Sequence, residues 1–74
     1  PNKDYKSALQ EKSLKKFGLI PRYELISQDG PEHKKEFVVS VRLDNDIVGK
    51  GWGLNKKNAE QMAAKEAMEK LKSA

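Results

Sequence analysis

The chain has 74 residues and no cysteine, so it has room for one small domain that folds without disulfides and without thiolate metal ligands. Its 15 basic and 11 acidic residues give a net charge of +4, a moderate excess that indicates an anionic partner only where the positive side chains cluster. The sequence contains neither a long apolar run nor a hydrophobic signal segment, which predicts a soluble, cytoplasmic protein.

The chain begins with Pro1 rather than methionine, as expected of a processed protein or of a domain cut from a longer chain, and we favour the second. The first predicted element is a short helix over residues 5–16, which Asp4 precedes as a good N-cap. Its apolar stripe is interrupted at residues 12–13, and we expect Phe17 to turn back towards the core. The helical spacing gives two opposite faces, one with Tyr5, Ala8 and Leu9 and one with Ser7, Gln10, Glu11 and Leu14.

Three strands are predicted next, and together they form an antiparallel meander. Residues 22–28 are the first strand, with Tyr23 and Leu25 on one side. Residues 36–43 are the clearest strand, because apolar side chains occupy every second position. Residues 47–52 return after a turn as a third strand, weakened by glycine. The buried set of the central strand is predicted to be Phe37, Val39, Val41 and Leu43.

A second helix is predicted from its cap at Asn55 to about Lys72, and its apolar stripe is rich in alanine, so it can lie close on the sheet. The elements predict an α+β domain in the order helix, strand, strand, strand, helix, with both helices on one face of the antiparallel sheet. We expect a single domain of residues 1–74 with an ordered core at about 4–72. The stripe comprises Ala59, Met62, Ala63, Ala67 and Leu71, widened by Ala64 and Met68.

Residues 49–53 read GKGWG, a glycine-rich segment that can be compared with three nucleotide-binding motifs. The spacing matches neither a P-loop nor a dinucleotide fingerprint. It imitates the start of the RNA-recognition-motif octamer, but the aromatic residues and the valine that should follow are missing. We therefore interpret the glycines as letting the strand end turn sharply into the second helix.

Catalytic arrangements are not found in the sequence. His33 has no nearby nucleophile that would make it a general base. A divalent-metal nuclease site needs several converging carboxylates, whereas the glutamates of the predicted helices are spaced like ordinary surface charges. These glutamates are Glu11, Glu60, Glu66 and Glu69.

The start of the second helix indicates a phosphate site for two separate reasons. Lys56 and Lys57 place two cations in the first turn, where they oppose the helix dipole unless an anion is bound. The free amide groups of the same turn also favour an anion. A second basic pair, Lys34 and Lys35, lies in the loop after the first strand.

Together these segments resemble the double-stranded-RNA-binding domain over essentially the whole chain. Residues 55–64 read NKKNAEQMAA and match the second-helix signature of that family. Residues 30–37 read GPEHKKEF and match its loop pattern, in which glycine, proline, histidine and phenylalanine recur at fixed spacing. Residues 4–11, DYKSALQE, are similar to the start of this domain in bacterial-type ribonuclease III, where it follows the nuclease domain.

The resemblance implies that the domain recognises A-form RNA by shape, across ~16 base pairs. The polar face of the first helix would enter one minor groove, the loop with Pro31 and His33 would enter the next, and Lys56 and Lys57 would bind the phosphates between them. His33 by itself is more often an incidental loop residue, and only the loop pattern gives it this role. The implied RNA-binding residues are Ser7, Gln10, Glu11, Pro31, His33, Lys34, Asn55, Lys56 and Lys57.

The sequence departs from the family pattern at three places near this phosphate site. Many members have a basic residue at the position of Glu60, and many have lysine and then serine or threonine at Leu54 and Asn55. The site is therefore expected to be less positive than usual, so the isolated domain should bind with modest affinity. Trp52 is also unusual, and we assign it no role.

The leading hypothesis is a non-catalytic module that binds double-stranded RNA for a ribonuclease III active site outside this chain. The chain itself is expected to bind no cofactor and no membrane. The nuclease domain of the parent protein is expected to use magnesium, and its family is dimeric. One alternative keeps the RNA-binding role but places the domain in another RNA-binding or RNA-modifying protein. Another is a protein-interaction domain of the same fold, which should have lost the lysine pair and the loop histidine.

Overall fold

The first helix is capped by Asp4 at its start and by Gly18 at its end. The computed structural model describes residues 4–73, so the expectation drawn from Pro1 lies outside the described residues. Asp4 Oδ1 accepts a hydrogen bond from the amide of Ser7 at 3.2 Å, and Gly18 ends the helix in the left-handed conformation, with φ of 69°. The elements are α1 (Tyr5–Phe17), β1 (Arg22–Asp29), a 3₁₀ turn (Glu32–Lys34), β2 (Glu36–Leu43), β3 (Asp46–Gly53) and α2 (Lys56–Ser73).

The buried side of α1 differs from the predicted one. Leu9 and Ser13 are fully buried and Tyr5 is partly buried, so the stripe follows a spacing of four residues and leaves Ala8 exposed. Ser13, predicted to interrupt the apolar face, donates a hydrogen bond from Oγ to the carbonyl of Leu19 at 2.6 Å. That bond folds the chain after the helix back over Ser13.

The prediction that Phe17 turns towards the core is wrong. Its side chain is 46% exposed, because the backbone that follows Gly18 occupies the buried side of this helix end. Leu14 is exposed on the opposite side of α1, as its place on the polar face predicts.

The sheet has the strand order β1-β2-β3 and is antiparallel throughout, which confirms the predicted meander. In its register Tyr23 is paired with Val41, and Val41 with Gly49. A β-bulge in β1 adds one residue between Leu25 and Ser27, and the second irregularity follows Val41 in the pairing of β2 with β3. The predicted fold class, three antiparallel strands with two helices on one face, is therefore confirmed.

The core lies between the sheet and α2, which crosses β3 and β2. The predicted set on the central strand is confirmed, since Val39 and Val41 are fully buried, Leu43 is 6% exposed and Phe37 packs against the same cluster. Met62 was expected in the α2 stripe but is 39% exposed, because the stripe is centred on alanines and Met62 lies at its edge. The fully buried residues of α2 are Ala59, Ala63, Ala64 and Ala67.

Three glycines of β3 allow α2 to lie close on the sheet. A Cβ atom at Gly51 would overlap the backbone of Met62 and Ala63, and one at Gly53 would lie 2.8 Å from the amide nitrogen of Ala59. Gly49 is similarly close to the helix backbone. The interpretation that these glycines provide a sharp turn is therefore replaced, because their common feature is the close approach of a helix.

The outer face of the sheet carries the side chains that alternate with those glycines. Trp52 is paired with Val38 and is 58% exposed, and Ile26 at the bulge is 48% exposed. Ser40 belongs to the same side of β2 and is nevertheless fully buried. Within residues 4–73, neither helix is long and apolar enough to cross a membrane.

Candidate nucleic-acid interface

The start of α2 presents two lysines on a capped helix end. Asn55 Oδ1 accepts a hydrogen bond from the amide of Asn58 at 2.8 Å, which confirms Asn55 as the cap. The side chains of Lys56 and Lys57 are exposed, and the first turn contains no acidic residue. Neither lysine forms an ion pair with an acidic side chain of the described residues. The turn therefore offers two free cations at the positive end of a helix dipole.

The loop between β1 and β2 lies beside this helix start. It contains one turn of 3₁₀ helix, closed by a hydrogen bond from the amide of Lys34 to the carbonyl of Pro31 at 2.8 Å. Pro31, His33 and Lys34 are all exposed. One cleft joins the loop to the residues that precede α2, and it is lined by Glu32, His33, Lys34, Lys35, Phe37, Leu54 and Asn55.

The polar face of α1 meets α2 at a second cleft. Ser7, Gln10 and Glu11 are exposed on this face, as the helical spacing predicts. Ser7 Oγ donates to Asp4 Oδ2 at 2.6 Å, which leaves its oxygen free to accept a hydrogen bond from a ligand. The residues lining the cleft are Asp4, Lys6, Ser7, Gln10, Lys57 and Gln61.

Both clefts reach the start of α2, and together they define the candidate surface. Six of the nine predicted site residues line one cleft or the other. Asn55 lines the first cleft and Lys57 lines the second, so the start of α2 connects the loop to α1. Pro31, Glu11 and Lys56 line neither cleft, but each is exposed on one of the three segments that form this surface. The three segments are far apart in sequence and adjacent in the fold.

Sequence reasoning missed a polar network that connects the two helices. Gln61 Oε1 accepts hydrogen bonds from the amides of Tyr5 at 2.8 Å and Lys6 at 3.4 Å. Its Nε2 donates to Asp4 Oδ1 at 2.9 Å. No local pattern indicates these bonds, because their partners are separated by 55 to 57 residues in sequence. The only available signal is that Gln61 lies one turn after Lys57.

A second link of the network explains the unusual acidic residue near the phosphate site. Glu60 Oε1 forms an ion pair with Lys6 Nζ at 2.6 Å, and the Glu60 side chain is only 17% exposed. The same ammonium group lies 4.8 Å from the centre of the Tyr23 ring. The negative charge of Glu60 is therefore matched by Lys6, which limits its effect on the exposed lysines of α2.

The network also shifts the pKa values of two of its members. The hydrogen bond from Gln61, followed by those from Ser7, lowers the pKa of Asp4 to about 2. Burial, with smaller contributions from the charges of Glu60 and Asp4, raises the pKa of Tyr23 to about 12. At neutral pH the network thus contains an ionised Asp4 and a neutral Tyr23 phenol.

The acidic side chains of the described residues do not fit a magnesium site. Glu60 is paired with Lys6, and Glu66 Oε1 accepts a hydrogen bond from the amide of Lys50 at 3.0 Å. No three His, Asp or Glu side chains among residues 4–73 come together as metal ligands would.

Comparison with known proteins gives relatives that match nearly all of this chain. A ribonuclease 3 of Campylobacter concisus is 50% identical over 70 residues, which are 95% of this chain and 31% of that protein. A ribonuclease 3 of Bdellovibrio bacteriovorus is 49% identical over 67 residues, which are 90% of this chain and 29% of that protein. The chain thus spans about a third of the length of these curated relatives.

Solved structures show the same fold. A structure of HYL1 from Arabidopsis superposes with a TM-score of 0.77 at 39% identity, covering 92% of this chain and 96% of that one. Dicer from Pichia stipitis gives 0.72 at 27% identity, covering 89% of this chain and 32% of that one. The family model for the double-stranded RNA binding motif matches residues 5–71. On this match and these relatives, the chain belongs to the double-stranded RNA binding motif family.

Proposed function

We propose that this domain binds double-stranded RNA by its shape and takes no part in bond cleavage. The observation that carries the proposal is that two exposed clefts reach the first turn of α2, one from the polar face of α1 and one from the loop at Glu32–Lys34. Such a surface suits an A-form duplex, whose shallow minor groove displays 2′-hydroxyl groups on either side of a phosphate-lined major groove.

Each of the three segments has a chemistry that fits its part of the duplex. On α1, Gln10 and Glu11 offer oxygen atoms that can accept hydrogen bonds from 2′-hydroxyl groups. A carboxylate at this place is repelled by phosphate but is a good partner for a hydroxyl donor, so it favours RNA over DNA. Lys56 and Lys57 bind the phosphates across the major groove. His33 in the loop reaches the next minor groove, flanked by Pro31 and Lys34.

We further propose that the domain holds substrate for a ribonuclease III active site elsewhere in its parent protein. The curated relatives named ribonuclease 3 support this assignment. In that parent the cleavage of the RNA backbone, its magnesium requirement and its dimeric state would belong to the nuclease domain. The cytoplasmic location stays a prediction.

A titration of this chain with matched RNA duplex, DNA duplex and single-stranded RNA at a stated salt concentration tests the proposal. We expect a clear preference for the RNA duplex, because only that ligand presents rows of 2′-hydroxyl groups in a shallow groove. Equal affinity for the RNA and DNA duplexes would contradict it. Failure of all three ligands to bind would favour a protein-interaction domain of the same fold.

The double variant Lys56→Glu/Lys57→Glu tests the phosphate role within the same titration. We expect it to lose RNA binding while its melting temperature stays nearly unchanged, because both side chains are exposed. The matched control is Lys15→Glu/Lys16→Glu, which makes the same change of charge in the last turn of α1, outside both clefts. Equal losses in the two double variants would mean that only the net charge matters.

A further inference from the structure

Gln61 lies on α2 and caps the N-terminus of α1. The first four amides of an α-helix have no partner within the helix. In α1 the amide of Ser7 bonds to the side chain of Asp4, and Ala8 makes the first regular helical bond, to the Asp4 carbonyl. The amide of Tyr5 bonds to Gln61 Oε1 on α2, and the amide of Lys6 lies 3.4 Å from the same oxygen and also bonds to Asp4. The capping of α1 therefore depends on a side chain from the other helix.

The bonds of Gln61 restrict more than the distance between the helices. The carboxamide is planar and rigid, and it uses its oxygen on two amides of α1 and its nitrogen on Asp4 Oδ1. Because both the oxygen and the nitrogen of the carboxamide bond to the start of α1, they restrict the rotation of α1 about its own axis as well as its distance from α2. The Lys6–Glu60 ion pair holds the same helix turn at a neighbouring point.

This restraint acts on the proposed RNA-binding surface. Gln61 lies one helical turn after Lys57, and both line the cleft that contains Ser7 and Gln10. A rotation of α1 would carry the face with Ser7 and Gln10 away from the groove that the duplex presents, while leaving the lysines of α2 in place. Recognition of 2′-hydroxyl groups thus depends on the angle that Gln61 sets.

We propose that Gln61 is a positioning residue for duplex recognition, which fixes the polar face of α1 relative to the phosphate-binding start of α2. This inference rests on the proposed function. Gln61 itself does not contact RNA. It controls the preference for RNA over DNA more than it controls the overall affinity.

The variant Gln61→Leu removes the hydrogen bonds and keeps a side chain of similar size. In the folded variant we expect affinity for the RNA duplex to fall about fivefold, as if one hydrogen bond between the polar face of α1 and the RNA were lost. We expect binding to the DNA duplex to change little, so that the preference for RNA shrinks. The dependence of binding on salt should be unaltered, because Lys56 and Lys57 still contact phosphate.

A neighbouring substitution and a compensating pair distinguish positioning from the alternatives. Met62→Leu, at the next residue of α2, alters an exposed side chain and is expected to leave affinity and preference as they were. Gln61→Glu with Asp4→Asn keeps an acceptor for the amide of Tyr5 and lets the carboxamide at position 4 donate to the carboxylate at position 61, while the bond from the Ser7 amide to position 4 is lost. The pair should therefore restore part of the RNA preference. If the pair returns α1 to its wild-type orientation and the RNA preference is still lost, Gln61 contacts RNA itself and the proposal is overturned.

The angle between the helices can be measured without RNA. Residual dipolar couplings of backbone amides should show α1 reoriented relative to α2 in Gln61→Leu and returned in the compensating pair. Unchanged couplings together with unchanged RNA preference would overturn the positioning role. The two proposals can fail separately, because a wild-type chain without RNA preference would contradict the proposed function whatever the couplings of the variants are.

Discussion

The Asp4 side chain accepts hydrogen bonds both from its own helix and from the side chain of α2 that connects the two helices. Its two oxygens accept hydrogen bonds from the amide and hydroxyl of Ser7 and from the carboxamide of Gln61. All three donors favour the charged carboxylate, which is why its pKa is lowered to about 2. One residue thus caps α1 and binds the side chain from α2 that caps the same helix.

This lowered pKa predicts an acid-dependent loss of stability. Because the pKa of Asp4 is lower in the folded chain than its ordinary value of 3.8, the contribution is fully present above about pH 4 and disappears as the pH falls towards 2. Melting temperatures measured over this range should fall more steeply for wild type than for Asp4→Asn. The asparagine still caps the helix and cannot titrate, so parallel curves for the two proteins would refute the prediction.

β3 packs closely against α2 because the residues of β3 that face the helix are glycines, which have no side chain. Gly51 faces the backbone of α2 at Met62 and Ala63, and the buried residues of the helix above the strand are alanines. Small residues on both elements let them approach until backbone contacts side chain directly. The position of the first turn of α2, with its two exposed lysines, follows from this close contact.

Substitution of Gly51 by alanine should therefore destabilise the domain. Its Cβ would overlap helix backbone, which cannot move aside as a flexible side chain would, so we expect a loss of ~1–3 kcal/mol in the free energy of unfolding. Urea denaturation measures this loss. Lys50→Ala is the matched control, because its side chain is exposed and lies on the other face of β3. Equal stability of the two variants would mean that α2 lies further from the sheet.

The order of elements and the placement of the core could be predicted from sequence, because both follow from the spacing of apolar residues within each helix and strand. Alternating apolar residues in β2 predict its buried side, and the alanine spacing of α2 predicts a closely packed helix. The exposure of Phe17 and Met62 could not be predicted in this way, since neither follows from its own helix. Both depend on where another segment ends or crosses.

The same distinction between local signals and distant contacts applies to the residues of the candidate site. The exposure of Lys56, Lys57 and the polar face of α1 could be predicted because charge at a helix start and helical spacing are local signals. The role of Gln61 could not, since a glutamine on a helix surface is unremarkable until its partners 55 to 57 residues away are known. Ser13 is a similar case, because only the returning chain at Leu19 gives its hydroxyl a partner.

The proposed RNA-binding surface is made of three segments of the domain, so the domain should require a duplex of a minimum length. The described residues extend 40 Å along their longest axis. Binding by shape requires two successive minor grooves and the major groove between them, about 16 base pairs in all. Titrations with RNA duplexes of increasing length should therefore show a steep gain of affinity up to about that size and little gain beyond it. Affinity that rises evenly from the shortest duplexes would contradict recognition by three separate segments.

The bond between Gln61 and Asp4 joins residues 57 positions apart and so has a consequence for the growing polypeptide. During synthesis α1 is made first, yet the amide of Tyr5 has no protein acceptor until residue 61 has left the ribosome. The alanines that cover the central strand are made equally late, since the first of them is Ala59. The contacts that complete the cap of α1 and those that complete the core therefore both become available only near the end of translation of this segment.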